Sequence, residues 1–185
     1  MNKLSIILAV GLILGLQFLV SYFNQNKELK IDINNKELKI EQLQFQKDSL
    51  ELILDSLPLG HPLDSIVISE NFGVRKHPIT KRWNIHCGLD LAGTYRDTIY
   101  ATGSGRIIKA KRYRGYGRCV IIKHKGEYKS LYGHMNKIFV KWNDMVKDGD
   151  PIGTVGSTGF STGTHLHYEI FRFDQYTNPE YYLNS

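Results

Sequence analysis

Cysteine is scarce. The 185-residue chain holds only Cys87 and Cys119. They could pair in an oxidising compartment or stay as buried free thiols, and the sequence leaves both open. No cysteine stands in the first 30 residues, which excludes a lipid attached there. Acidic residues are outnumbered, 18 Asp and Glu against 24 Lys and Arg, for a formal net charge of +6. The imbalance lies in residues 59–185, with 18 basic and 11 acidic side chains, whereas residues 1–58 hold 6 and 7. A basic domain of this kind favours an anionic polymer such as cell wall or lipid headgroups. No recognition helix or nucleic-acid-binding motif is visible, so we expect no nucleic-acid partner. H-E-x-x-H is also missing, so no helix glutamate stands between two metal-binding histidines.

What is present falls into segments. Residues 4–23 carry no charge, and only Ser5, Gln17 and Ser21 are clearly polar. A bilayer core takes about 20 such residues as a helix, and a cleaved signal has a shorter apolar core. Residues 1–23 are therefore expected to be a cytoplasmic tip and a transmembrane signal anchor. The remainder would lie on the extracytoplasmic side of the cell membrane, in a single-pass arrangement. A cleaved signal peptide would export the rest equally well. Lys3 before the run and Lys27 and Lys30 after it do not orient it.

Residues 24–57 repeat apolar side chains at alternating spacings of three and four: Leu29, Ile33, Ile40, Leu43, Leu50, Leu54 and Leu57. Lys36 and Lys47 interrupt the stripe. This predicts a coiled-coil helix, with a homodimer or an envelope protein as its partner. The alternative is an amphipathic helix lying on the membrane or on the next domain. Pro58, Gly60 and Pro62 end the pattern, so 58–64 reads as a linker.

Residues 65–185 read as mostly β. Candidate strands are 65–69, 85–90, 98–101, 105–112, 118–124, 128–133, 151–155 and 165–171, separated by glycine-rich turns. Residues 135–140 could form one helical turn. Short strands with such turns predict an antiparallel sandwich or open barrel.

Histidines mark the candidate site. His165 and His167 flank one leucine, and on a strand positions i and i+2 share a face. His86 and Asp90 stand at H-x-x-x-D, which on an extended strand also share a face. His134 follows the strand of LYGHM. Two histidines, one carboxylate and a water would complete a catalytic zinc site, leaving two histidines to handle protons. Strand geometry does not say which of His165 and His167 binds metal. His61, His77 and His124 read as exposed or supporting side chains.

Taken together, HCGLDLAG, YATGSGRII, GYGRCVIIKH, LYGHM and the run from VKDGDPIG to GTHLHYEI resemble the lysostaphin/LytM-type zinc metalloendopeptidases. The likeness covers residues 66–175 and keeps order and spacing. It implies that His86, Asp90 and His167 bind one zinc ion and that His134 and His165 are catalytic. It also implies cleavage of peptide crosslinks or bridges of bacterial peptidoglycan, in cell-wall remodelling. The competing reading is an envelope scaffold that activates another wall hydrolase on the same fold. Glu169 shares the face of His165 and His167 and could orient an imidazole. Arg112, Arg114 and Arg118, interleaved with Tyr113 and Tyr116, could hold stem-peptide carboxylates or sugars, or form a solvated basic loop. Cys87 is expected to point away from His86.

Overall fold

The computed structural model describes residues 3–76 and 83–183, with side chains from residue 11 onward. The chain divides into two compact units, Met1–Leu50 and Glu51–Ser185. One continuous helix, α1 (Lys3–Leu54), merges the two segments that the sequence separates near residue 23. Nothing between them breaks a helix, because Pro58 is the first proline. The last turn tightens before Pro58, with Ser56 N–H donating to the Ile53 carbonyl (3.1 Å) and Leu57 N–H to that of Leu54 (3.1 Å).

One expectation for this segment needs correction, and a second is not shown. Among the described residues no helix is long and apolar enough to cross a membrane. The uncharged run behind the transmembrane reading begins at Leu4, and its residues 4–10 lack described side chains. The heptad stripe is helical, but Leu29, Ile33, Ile40, Leu43, Leu50 and Leu54 are all exposed in this single chain, and no coiled coil is shown.

Beyond the helix the chain is mostly β, and among the described residues every strand pairing is antiparallel. In order the strands are β1 (Ile68–Glu70), β2 (Gly73–Lys76), β3 (Trp83–His86), β4 (Leu89–Ala92), β5 (Thr98–Tyr100) and β6 (Gly105–Arg112). β7 (Arg118–Lys123), β8 (Tyr128–Met135), β9 (Lys137–Ile138) and β10 (Met145–Val146) follow. β11 (Pro151–Thr154), β12 (His165–Arg172), β13 (Gln175–Thr177) and a short helix α2 (Glu180–Leu183) complete the fold. The large sheet runs β1-β4-β12-β8-β7-β6-β10, with β13 paired to β12. A smaller sheet runs β5-β11-β9, and β2-β3 form a separate hairpin. Both larger sheets feed one core. Leu91, Val120, Tyr132, Leu166, Tyr168 and Ile170 meet Ile99 and Ile152 there. Such a core, enclosed by antiparallel sheets, agrees with the sandwich expected from the short alternating strands.

The structure departs from the sequence reading at three further places. The expected strand 85–90 breaks at Cys87–Gly88, because Gly88 lies against the β12 backbone. Residues 135–140 do not form a helical turn; Asn136 N–H bonds the Thr154 carbonyl (2.8 Å) and Phe139 N–H that of Ile152 (3.0 Å). The available edge of β11 wins over local helical preference. The segment read as a linker packs down: Leu63 is in the core, and Gly60 N–H bonds the Thr102 carbonyl at 2.8 Å. Cys87 and Cys119 are free thiols.

Candidate metal centre and active site

β12 alternates between two environments. Leu166, Tyr168 and Ile170 enter the core, while His165, His167 and Glu169 occupy the opposite face. Register then delivers partners to that face. His167 lies opposite Asp90 on β4 and opposite Gly133 on β8. His86 arrives differently from the H-x-x-x-D strand argument. It ends β3, and the chain turns through Cys87–Gly88 before Asp90. A Cβ at Gly88 would stand 2.3 Å from the Tyr168 carbonyl oxygen, so only glycine allows this turn to lie on β12.

Three donor atoms converge. His86 Nε2 is 3.2 Å from Asp90 Oδ1 and 3.1 Å from His167 Nδ1, and His167 Nδ1 is 2.7 Å from Asp90 Oδ1. All three residues are buried, and they form a group able to hold a metal ion. A tetrahedral zinc with bonds of about 2.0–2.1 Å spaces its donors by roughly 3.3 Å, so this triangle approximates one face of the tetrahedron.

Hydrogen bonds behind the rings decide what the donors present. His86 Nδ1–H donates to the Asn71 carbonyl at 2.8 Å, leaving Nε2 as a lone pair. His167 Nε2–H donates to Glu169 Oε1 at 2.9 Å, leaving Nδ1 as a lone pair. Glu169, 1% exposed, is itself bonded by the Tyr116 hydroxyl at 2.9 Å. With these tautomers two imidazole nitrogens and a carboxylate oxygen face one another, an arrangement completed by a metal ion or, without one, by a proton shared between His167 Nδ1 and Asp90. Burial pushes the Asp90 carboxyl up, but bonds from His167 and His86 outweigh it and hold the group well below the usual carboxylate range. Without an ion, burial pulls His167 down, while its hydrogen bonds to the Asp90 and Glu169 carboxylates prevail and raise it to about 9. Binding a metal there displaces that proton.

The remaining two histidines lie beside this triangle. His134 and His165 have ring centroids 4.8 Å apart, and His165 Nε2 is 3.6 Å from Asp90 Oδ1. Each ring is fixed by a backbone carbonyl. His134 Nδ1–H donates to Thr158 (2.7 Å) and His165 Nδ1–H to Gly163 (3.0 Å). Both Nε2 atoms are therefore bare. Burial lowers His134 to about 4, only partly opposed by the bond to Thr158, so the ring is neutral at pH 7. Its backbone lies in the left-handed region (φ 57), a conformation that surrounding structure must enforce. The loops around it interlock: a Cβ on Gly159 would meet the Gly117 nitrogen at 2.3 Å.

All five residues singled out by sequence meet at one place. Glu169 and Tyr116 stand behind the metal triangle. The supporting carbonyls of Asn71, Thr158 and Gly163 had no sequence signal, because any residue supplies a carbonyl. Of the other histidines, His61 is exposed, and His77 lies outside the described residues. His124 takes the supporting alternative: it is buried and bonded to the Ser104 carbonyl (3.0 Å) and the Ser130 hydroxyl (2.8 Å). Arg114 stacks on Tyr113 at 5.3 Å.

Comparison with known proteins adds an independent line. The profile of peptidase family M23 matches residues 84–179. The chain is 42% identical over 118 residues to the DD-carboxypeptidase/endopeptidase Mpg of Neisseria meningitidis, covering 64% of this chain and 27% of that protein. It is 37% identical over 123 residues to the peptidoglycan DD-endopeptidase ShyB of Vibrio cholerae, covering 66% and 29%. The chain thus spans less than a third of either relative. A zinc-containing peptidase of Vibrio cholerae superposes with a TM-score of 0.61 at 36% identity, covering 64% of this chain and 37% of that one.

Proposed function

The chain belongs to peptidase family M23, a family of metallopeptidases, with one zinc ion as its cofactor. On that basis we propose that it is an endopeptidase cleaving peptide crosslinks or bridges of bacterial peptidoglycan, in cell-wall remodelling. The names of the relatives support the substrate class. The observation that carries the reading is the convergence of three donors from β3, β4 and β12, with both imidazoles aimed by hydrogen bonds behind their rings.

In this reading His86 Nε2, Asp90 and His167 Nδ1 hold the zinc, and His134 and His165 are catalytic. A zinc ion held by these residues would supply Lewis acidity, polarising the scissile carbonyl and bringing the pKa of water to about 7. His134 and His165 do the remaining work through their bare Nε2 atoms. One takes the proton of the attacking water, and the pair hydrogen-bonds the developing oxyanion and returns a proton to the leaving amine. The neutrality of His134 supports its use as a base. A pure scaffold has no need of five such groups held in place, which weighs against the activator reading.

The proposed substrate supports an extracytoplasmic location for the domain. The uncharged run Leu4–Phe23 supports a hold at the cell membrane, and the exposed stripe Leu29–Leu54 supports self-association or an envelope partner. Cell fractionation with and without residues 1–23 tests the first, and sedimentation of residues 24–185 the second. The test of function itself is digestion of purified peptidoglycan with the zinc-loaded chain. Soluble peptide fragments are expected, and a chelator is expected to stop their release.

A further inference from the structure

A second feature lies beside the catalytic histidines. Lys111, Arg112, Arg118, Asn136, Lys137 and Ile138 line a cavity of about 360 Å³. Four of these six side chains are cations. Among the described residues no salt bridge reaches any of the four, although salt bridges form elsewhere in the domain. All four are exposed, so together they give the cavity a positive potential that attracts an anion.

The cavity is joined to the active site by covalent and hydrogen-bond links. Asn136 is two residues beyond His134, at most about 7 Å of chain. Arg118 pairs with Met135 across β7 and β8. Its N–H donates to Thr158 Oγ1 at 2.9 Å, and the carbonyl of Thr158 holds His134 Nδ1. The Arg118 guanidinium is positioned as well, with Nη1 donating to the Asn136 carbonyl at 2.8 Å. The other N–H groups of that guanidinium stay available, and a planar guanidinium matches a carboxylate with two parallel bonds. The Tyr95 hydroxyl donates to Asn136 Oδ1 at 3.0 Å and holds the Asn136 side chain, which also lines the cavity.

We propose that Arg118, with Lys111, Arg112 and Lys137, forms an anion subsite that takes a carboxylate of the peptide substrate within two or three residues of the scissile bond. This rests on the peptidoglycan reading and refines it. The subsite selects stem peptides whose acidic residue is free over those in which it is amidated. Arg114, stacked on Tyr113, does not line the cavity.

The test uses two synthetic crosslinked stem peptides, identical except that one carries a free side-chain carboxylate and the other its amide. With the full zinc-loaded chain, kcat/KM is expected to be about tenfold higher for the carboxylate, mostly through KM. In Arg118→Gln that ratio is expected to fall toward one while zinc content is retained, and Arg118→Lys is expected to restore only part of it. Lys137→Gln gives a second reading should Arg118→Gln fold poorly. Equilibrium binding of the two uncleaved peptides to the zinc-free chain reads the subsite without catalysis, with inorganic phosphate as competitor. Tighter binding of the carboxylate peptide, weakened by Arg118→Gln, supports the subsite even where neither peptide is cleaved; lack of cleavage then counts against the proposed substrate alone. Equal binding of both peptides, equal losses for both in Arg118→Gln, or displacement by phosphate as effective as by the peptide overturns it.

Discussion

Asp90 Oδ1 lies within 3.6 Å of nitrogen atoms from His86, His165 and His167. Removing this one carboxylate takes away a donor and leaves lone pairs facing each other. Asp90→Ala is therefore expected to lose bound zinc, read by metal analysis of the purified protein. His134→Ala is expected to behave oppositely, retaining zinc while kcat falls by about 10²–10⁴. Zinc loss in that variant contradicts the roles assigned. Glu169 acts one step behind the metal by holding His167 Nε2–H, with Tyr116 holding Glu169 in turn. Glu169→Ala is expected to weaken zinc binding by about 10–100-fold, measured by chelator competition, and Glu169→Gln to recover part of it. The five principal residues were legible in the sequence, but the choice of His167 over His165 as ligand came from family resemblance. Periodicity showed only that the two share a face.

At the scale of elements, the site depends on how tightly β4 and β12 approach around the Cys87–Gly88 turn. Gly88→Ala is expected to cost about 1–3 kcal/mol and to weaken zinc retention, because its Cβ would strike the Tyr168 carbonyl. Urea unfolding and metal analysis together check this. The H-x-x-x-D spacing suggested one regular strand, and the turn was hidden because tertiary contact with β12, not local propensity, creates it. β2 and β3 were missed as a hairpin because strands of four residues carry little alternation. β10 and β13 are two or three residues long, too short for any period to register. β7 carries another consequence of burial. At its end, desolvation lowers His124 to about 4, partly opposed by its bond to Ser104. An unfolded histidine takes its proton near 6.5, so the unfolded chain gains protons first as pH falls. Stability is complete above about pH 6.5 and declines between about 6.5 and 4, by about 3 kcal/mol for this side chain. His124→Asn is expected to flatten the slope of urea stability over that window, and an unchanged slope contradicts the assignment.

Over the whole molecule, composition separated a helical first third from a β domain, and the structure divides near the same region at Leu50. The exact joint escaped sequence reading because Pro58, Gly60 and Pro62 look like a free linker, whereas Leu63 is pulled into the core by its apolar side chain. The exposed stripe on α1 and the uncharged run before it are compositional signals that a single chain does not resolve. The peptidase unit, by contrast, contains every group the proposed chemistry requires. The most direct measurement is mass spectrometry of fragments released from purified peptidoglycan by the zinc-loaded chain, beside a chelated control and Asp90→Ala. Crosslinked peptides split at a peptide bond by the loaded chain alone are the expected result. Intact crosslinks across several wall chemistries, with one zinc bound per chain, would contradict the proposed function.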